Sequence, residues 1–176
     1  MASIKITLSM LLFLTIFTYS QAKLRHHKET EMTLYYKDYA GGPNATSIPI
    51  PGPSTGPLNF TMFGAMFVVD DPAVEDIEDA SAPIIARGRG VYIISALDGS
   101  HAQLLMSVVF INGKYKGSTL EIQGSYAQFE PVAEAAVVGG TGKFRLARGY
   151  ATYEILSYDP VSGYSVTRSN ITVLHY

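Results

Sequence analysis

The sequence predicts an all-β protein, an antiparallel sandwich or barrel that follows a short apolar leader. Strand-like runs of apolar and β-branched residues recur along the chain, and turn-forming residues separate them at regular intervals. No convincing helical repeat of apolar residues follows the leader. The net charge of −2 gives no basic surface for nucleic acid or an anionic membrane. The chain has no cysteine, so packing and self-association must stabilise it in place of disulfides.

The N-terminus predicts export from the cell. Lys5 precedes an apolar run from Ile6 to Tyr19, and Ser20-Gln21-Ala22 offers small residues where a signal peptidase cuts. A run of about 14 apolar residues is too short to span a bilayer comfortably, so we expect a signal peptide over residues 1–22 rather than an anchor.

The remaining chain suits a flexible tail over residues 23–31 and one domain over residues 32–176. His26 and His27 lie in the tail, and no spacing of ligand residues completes a metal site, so no metal is expected. Three N-glycosylation sequons agree with the secretory route, at Asn44, Asn59 and Asn170.

Nine runs are predicted to be strands, and residues that favour turns separate most of them. The runs are Met32–Tyr39, Thr46–Ile50, Phe60–Val69, Ile84–Leu97, Ala102–Ile111, Thr119–Ala127, Ala135–Val138, Phe144–Leu156 and Tyr164–His175. The turn signals are Gly41-Gly42-Pro43, Pro51-Gly52-Pro53, Asp70-Asp71-Pro72, Asp98-Gly99, Asn112-Gly113-Lys114 and Asp159-Pro160.

One predicted strand is apolar on both faces, in Leu104-Leu105-Met106 and in Val108–Ile111. An antiparallel sheet with one solvated face should alternate apolar and polar residues. The second face must therefore be covered by a ligand, another sheet or another subunit, and we infer an oligomer.

Six carboxylates lie between Asp70 and Asp79. The glycine and the ordered ligand spacing of a calcium loop are missing, so a solvated surface loop is the favoured interpretation.

The cluster Gly139, Gly140, Gly142 and Lys143 suggests a phosphate-binding loop, but its spacing is wrong. Val137 stands where the first glycine of such a loop is needed, Phe144 follows the lysine, and no third glycine completes a dinucleotide fingerprint. We therefore expect the glycines to take positive φ in a tight turn between two strands. The parity of the apolar residues then shifts, which predicts a bulge near Arg148-Gly149.

The motifs TLYYKD, GGPNAT, VVDDP, RGRGVY, LDG, YKGSTLEIQG and GGTGKFRLARGYA occur in this order along the chain. With them the sequence resembles the plant dirigent proteins over nearly the whole mature chain. The resemblance implies an eight-stranded antiparallel β-barrel, usually a homotrimer, that is exported to the cell wall space (apoplast). It also implies no cofactor.

The best-known dirigent proteins bind phenoxy radicals made by a separate oxidase, such as a laccase or peroxidase, and direct their coupling to one lignan stereoisomer. Related members dehydrate or cyclise phenolic substrates through quinone methides. Our leading hypothesis from the sequence is the first activity, without oxidase activity of the chain's own. The alternatives are a dehydratase or cyclase acting on an isoflavonoid-type alcohol, and a non-catalytic binding protein for wall phenolics or glycans.

The resemblance also implies site residues. Asp38 matches the family's aspartate at the end of the first strand and is the candidate acid or base, although it could instead cap the following turn. Tyr92 matches the first tyrosine of the fourth-strand motif and is a candidate for substrate binding, with Ile94 in place of the second tyrosine of lignan-forming members.

Two positions depart from the family pattern and indicate a non-lignan-type member. Lignan-forming and dehydrating relatives carry an aspartate two residues after Gly124 and an arginine six residues before Gly139, where this chain has Tyr126 and Ala133. Glu134 or Arg148 is a candidate substitute, and Arg148 is assigned provisionally to substrate binding, although a structural ion pair is its alternative role.

Overall fold

The computed structural model describes residues 27–50 and 60–176. The predicted signal peptide, residues 23–26 of the predicted tail, the predicted turn at Pro51-Gly52-Pro53 and the sequon at Asn59 lie outside the described residues. The rest of the predicted tail is described, and its residues 28–31 belong to the first strand. The described chain forms strands and two 3-10 turns, Gly113–Tyr115 and Gly142–Phe144. The strands are β1 (Lys28–Tyr39), β2 (Ser47–Ile50), β3 (Met66–Val74), β4 (Ala86–Ile94), β5 (His101–Phe110), β6 (Thr119–Ala127), β7 (Ala133–Thr141), β8 (Arg148–Asp159) and β9 (Tyr164–His175).

All neighbouring strands are antiparallel, and eight of them close into a barrel. The order is β1-β9-β8-β7-β6-β5-β4-β3, and β1 pairs with β3 to close the ring. The closing contact consists of the pairs Tyr35–Val74 and Tyr36–Ala73, whereas β1 pairs with β9 along its whole length. The short β2 pairs only with the first half of β3. The predicted eight-stranded antiparallel barrel is confirmed.

Alternate residues of each strand face the interior, as the pleat of a strand requires. At one end of the barrel they fill the interior completely. Phe110 packs against Phe144 there, with ring centroids 5.6 Å apart. The rest of this packed end consists of buried aliphatic side chains: Leu34, Val108, Leu120, Ile122, Val137, Ile171 and Val173.

The predicted turn at Asp70-Asp71-Pro72 is wrong, because these residues lie inside β3. Proline cannot donate a backbone hydrogen bond and is tolerated only where a strand lacks a partner for that N–H. Pro72 meets this condition on one side of β3. The pairing with β2 ends at Val69, and the pairing with β1 begins only at Ala73.

The glycine cluster is a strand end followed by a 3-10 turn. Gly139 and Gly140 belong to β7, and only Gly142 of the three takes positive φ, at 60°. The predicted bulge near Arg148-Gly149 is wrong. The parity changes instead through the turn at Gly142–Phe144 and through Leu146, whose φ is 64°, and β8 begins only afterwards.

Register shifts do occur, at Glu121/Ile122 and at Ile155/Ser157. Both therefore lie outside the segment in which the parity of the sequence predicts the bulge.

The outer surface carries an apolar row across four strands. Ile48, Val68, Val91 and Leu105 lie side by side in register, and the first, second and fourth are 52%, 40% and 41% exposed. Leu105 belongs to the doubly apolar stretch of the sequence, and the row continues the outward face of that stretch onto the neighbouring strands. The described residues contain no helix with the length and hydropathy of a membrane span.

Candidate functional site

A cavity of about 660 Å³ occupies the end of the barrel opposite the packed core. This volume lies within the range of sites for small organic molecules. Most of its wall is apolar or aromatic. Five tyrosines and two aspartates supply most of its polar chemistry: Tyr36, Tyr92, Tyr126, Tyr153, Tyr158, Asp38 and Asp71.

Strand periodicity brings these side chains together. Leu34, Tyr36 and Asp38 follow one another at every second position of β1, so the face that enters the packed core also reaches the cavity. In β3 the same periodicity aligns Phe67 with Asp71. The sequence therefore places one carboxyl group on each of two strands at the same end of the barrel.

The tyrosines form a connected aromatic wall. Tyr126 makes edge contacts with Tyr92 and with Tyr153, with centroid separations of 5.8 and 5.9 Å. The hydroxyl oxygens of Tyr36 and Tyr153 are buried and have no hydrogen-bond partner within the described residues. Burial raises the pKa of both phenols above the ordinary value. Both phenols therefore remain protonated.

Tyr92 is held by a hydrogen bond from its own hydroxyl. The phenol donates to Gln128 Oε1 at 2.7 Å, and Gln128 Nε2 donates to the carbonyl of Gly99. Desolvation and the neighbouring Tyr126 raise the pKa of Tyr92. Its hydroxyl is thus engaged by the protein, and its ring forms part of the wall.

Asp38 extends from β1 into the cavity. Its Oδ1 atom is buried and accepts no hydrogen bond from the described residues. Desolvation raises the pKa of this carboxyl group to about 6. A carboxyl group with such a pKa can hold or release a proton near neutral pH.

Asp71 is the second carboxyl group of the cavity. It is only 9% exposed, and its Oδ1 accepts a hydrogen bond of 2.6 Å from Thr46 Oγ1. Desolvation, together with the negative charge of Asp38, raises its pKa to about 7. Asp71 is therefore not part of the solvated acidic loop that the sequence predicts for this stretch. The later carboxylates of the stretch are exposed and fit that prediction.

Asp70, the neighbour of Asp71, points the opposite way and forms ion pairs with Arg87 and Arg89. Desolvation alone would raise its pKa, but the hydrogen bonds from the two arginines outweigh that effect and lower it. The pKa of Asp70 is therefore lowered and that of Asp71 is raised, although the two residues are adjacent in β3.

No lysine, arginine or histidine occurs among the described residues that line the cavity. Arg148 is exposed at the start of β8, donates to the carbonyl of Ala147 and lines a separate hollow with Leu146 and Leu174. Glu134 is exposed on β7. The structure brings Asp38 and Tyr92 together but not Arg148. The described residues also contain no group of three or more His, Cys, Asp or Glu placed to hold a metal ion.

Comparison with known proteins identifies the family. A family model described as dirigent-like protein matches residues 29–174. This chain belongs to the dirigent family. It is 34% identical over 148 residues to dirigent protein 23 of Arabidopsis thaliana, covering 84% of this chain and 79% of the relative. The predicted family is thereby confirmed.

Other dirigent relatives carry a more specific name. Pterocarpan synthase 1 of Glycyrrhiza echinata is 32% identical over 153 residues, which cover 86% of this chain and 81% of the relative. A solved structure of a pterocarpan synthase dirigent protein has a TM-score of 0.77 and 30% identity, with 88% of each chain covered.

The two departures from the family pattern fall at different places in this dirigent barrel. Tyr126 lines the cavity, so a phenol stands where the resemblance implies an aspartate. Ala133 is buried at the start of β7 and brings no charge. The carboxyl groups that line this cavity come instead from β1 and β3.

Sequence reasoning missed Asp71, Tyr36 and Tyr153 as lining residues. The signal that could have found the two tyrosines is the alternation of inward and outward residues along a strand. Tyr36 shares a face with Asp38, and Tyr153 shares a face with the buried Ala151. Asp71 was obscured because the proline after it resembles a turn signal.

Among the predicted glycosylation sites, Asn44 and Asn170 are both exposed. The Asn170 side-chain oxygen accepts a hydrogen bond of 2.9 Å from Thr33 Oγ1.

Proposed function

We propose that this dirigent protein is a dehydratase or cyclase that acts on an isoflavonoid-type phenolic alcohol through a quinone methide. The observation that carries the proposal is Asp38, a half-buried carboxyl group whose Oδ1 atom is buried and accepts no hydrogen bond from the described residues, in a cavity walled by tyrosines and apolar side chains. The similarity to proteins named pterocarpan synthase supports this activity over radical coupling.

The reaction needs the phenol and the leaving hydroxyl to exchange protons with the protein. Loss of the phenol proton and cleavage of the carbon–oxygen bond to the hydroxyl, which leaves as water, produce a quinone methide. A second hydroxyl of the substrate then attacks the methide carbon, and its proton is released while the phenol is restored. Asp38 can accept and return a proton in this sequence, and the tyrosine wall orients the flat rings.

The test is turnover of an isoflavonoid-type alcohol, followed by mass spectrometry for loss of one water. Asp38→Asn keeps the shape of the side chain and removes the titrating group, so we expect kcat to fall by about 100-fold or more. Glu134→Gln, on the exposed outer surface, is the matched control and should retain wild-type turnover. Unchanged turnover in Asp38→Asn would exclude this role.

The aromatic wall alone favours a second function, which is to guide the coupling of phenoxy radicals that a separate laccase or peroxidase supplies. Such guidance needs a shaped aromatic pocket and no acid or base. Coniferyl alcohol and a laccase, with and without the protein, would distinguish it by chiral chromatography of the product. A racemic product in both mixtures excludes this function, and an enantiomeric excess with the Asp38→Asn variant supports it over the dehydratase.

We also propose that the protein is secreted to the apoplast as a glycosylated homo-oligomer. The apolar leader and the exposed sequons at Asn44 and Asn170 support export. The apolar outer row on β2–β5 supports contact with a second copy of the chain, because such a row is costly to leave in water.

A further inference from the structure

We propose that Asp71 is the second catalytic carboxyl group of the cavity and shares one proton with Asp38. The inference rests on the proposed dehydratase function and assigns the acid that the reaction requires in addition to a base. It also explains how this chain can work with Tyr126 at the position where its relatives are implied to carry an aspartate.

The register of the barrel brings the two carboxyl groups together. Tyr36 of β1 pairs with Ala73 of β3, and these residues face the interior. Asp38 and Asp71 lie two residues beyond this pair, on opposite strands and on the same inward face. Both line the cavity, and the charge of Asp38 acts on Asp71.

The surroundings favour one proton rather than none on this pair. The charged and titratable groups that act on Asp71 or face it are Asp38, Asp70, Arg87 and Tyr36. Arg87 is the only cation of this set, and it forms an ion pair with Asp70. Two like charges in an apolar cavity repel, so the second ionisation is delayed. The values of about 6 for Asp38 and about 7 for Asp71 agree with this order.

The hydrogen bond from Thr46 leaves one oxygen of Asp71 for a proton. Thr46 Oγ1 itself accepts a hydrogen bond from the backbone N–H of Tyr39, so its own proton is directed to Asp71 Oδ1, and a proton on Asp71 lies on Oδ2. Donation from Thr46 lowers the pKa of Asp71, but desolvation and the charge of Asp38 outweigh it and raise the pKa. Between the two ionisations we therefore assign the neutral acid to Asp71 and the carboxylate to Asp38.

The proton transfers balance with one proton on the pair. Asp38 takes the proton of the phenol, and Asp71 gives its proton to the hydroxyl that leaves as water. The carbon–oxygen bond breaks, and its electron pair leaves with the water. During ring closure the attacking hydroxyl releases its proton to Asp71, and Asp38 returns its proton to the phenol oxygen. Both carboxyl groups end in their starting states, and no oxidant or reductant is consumed.

The kinetic test is the pH profile of kcat/KM for dehydration. The wild-type protein should give a bell, rising through the ionisation of Asp38 and falling through that of Asp71. Asp71→Asn should lower kcat/KM by about 100-fold or more and remove the alkaline fall, while Glu134→Gln keeps the bell. If kcat/KM of Asp71→Asn still falls at alkaline pH as it does in the wild type, the assignment is wrong.

A titration of carboxyl carbons by NMR tests the pair without any substrate. The wild-type spectrum should contain two cavity carboxyls that titrate in separate steps, and Asp38→Asn should move the step of Asp71 to lower pH. An unmoved Asp71 step in Asp38→Asn overturns the shared proton. If the coupled steps are present but no phenolic alcohol is dehydrated, the proposed function fails while the shared proton stands.

Discussion

Tyr92 donates a hydrogen bond of 2.7 Å to Gln128 and thereby fixes the end of β4 to the segment that follows β6. Because Gln128 also donates to the carbonyl of Gly99, one amide side chain links two loops beside the cavity. Tyr92 therefore serves the cavity through its ring and its position. Its hydroxyl cannot donate to a guest without loss of this bond.

Replacing Tyr92 should separate the two contributions. Tyr92→Phe keeps the ring and loses the hydrogen bond, so we expect a loss of about 1 kcal/mol in the free energy of unfolding and a small effect on turnover. Tyr92→Ala also removes the edge contact with Tyr126 and should impair turnover more strongly. Chemical denaturation and substrate kinetics measure the two effects. Equal turnover loss in both variants would assign the hydroxyl a direct role instead.

The stability of the fold should depend on pH through the cavity carboxyls. The pKa values of Asp38 and Asp71 in the folded protein lie above the ordinary 3.8, so the folded state binds more protons than the unfolded chain from about pH 4 to about pH 7. Stability conferred by these groups is therefore present at low pH and is lost as the pH rises through that window. Each pKa unit corresponds to about 1.4 kcal/mol.

Thermal unfolding of the wild type and of Asp71→Asn, compared from about pH 4 to about pH 8, measures this dependence. The variant should lose less stability across the window because one of the two groups no longer titrates. Asp79, Asp98 and Asp159 have lowered pKa values through their hydrogen bonds with nearby serines, so their contribution is gained as the pH rises near and below 4. A variant with the wild-type slope would contradict the prediction.

Adjacent glycines of the cluster should respond differently to alanine. A Cβ on Gly140 would lie 2.5 Å from the carbonyl oxygen of Thr119 and 2.7 Å from that of Phe144, so backbone must shift. Gly139 has only Arg148 Nη1 near this position, at 3.8 Å. Gly140→Ala should cost about 1–3 kcal/mol in unfolding free energy, and Gly139→Ala should be nearly neutral. Equal costs, measured by urea denaturation, would contradict this packing account.

The apolar outer row should control self-association. Leu105→Lys places a charge at the β5 end of the row and should shift the protein to monomer in size-exclusion chromatography with light scattering. Glu134→Lys introduces a lysine on another exposed strand and should leave the oligomer intact. A wild-type protein that is monomeric at the same concentration would contradict the proposed oligomer.

Much of the fold could be predicted because the apolar runs and turn residues repeat so regularly. Each predicted strand overlaps one strand of the sheet. Errors arose where one residue type has two uses. Pro72 is a turn former in most contexts, but in β3 it occupies the interval between two partner strands. Leu146 takes a positive φ that nothing in its side chain indicates.

The candidate site was only partly visible in the sequence. Asp38 and Tyr92 could be found through the family motifs, whereas Tyr36 and Tyr153 of the cavity wall were missed although alternation along the strands indicates them. Asp71 could not be found, because its partner Asp38 lies on a strand that is distant in sequence, and only closure of the barrel brings the two together. Arg148 was assigned to the site wrongly, because its position at a strand end near a glycine cluster does not indicate where its side chain points. The structure places it in a hollow separate from the cavity.

The junction between β1 and β3 has the shortest ladder of the barrel. It consists of two residue pairs, whereas β1 pairs with β9 along its whole length. Beyond these two pairs, Thr46 joins the ends of the two strands, because it exchanges hydrogen bonds with Tyr39 and also bonds Asp70 and Asp71. One threonine therefore takes the place of the missing ladder beside the acidic residues, and the shape of the cavity at this point depends on it.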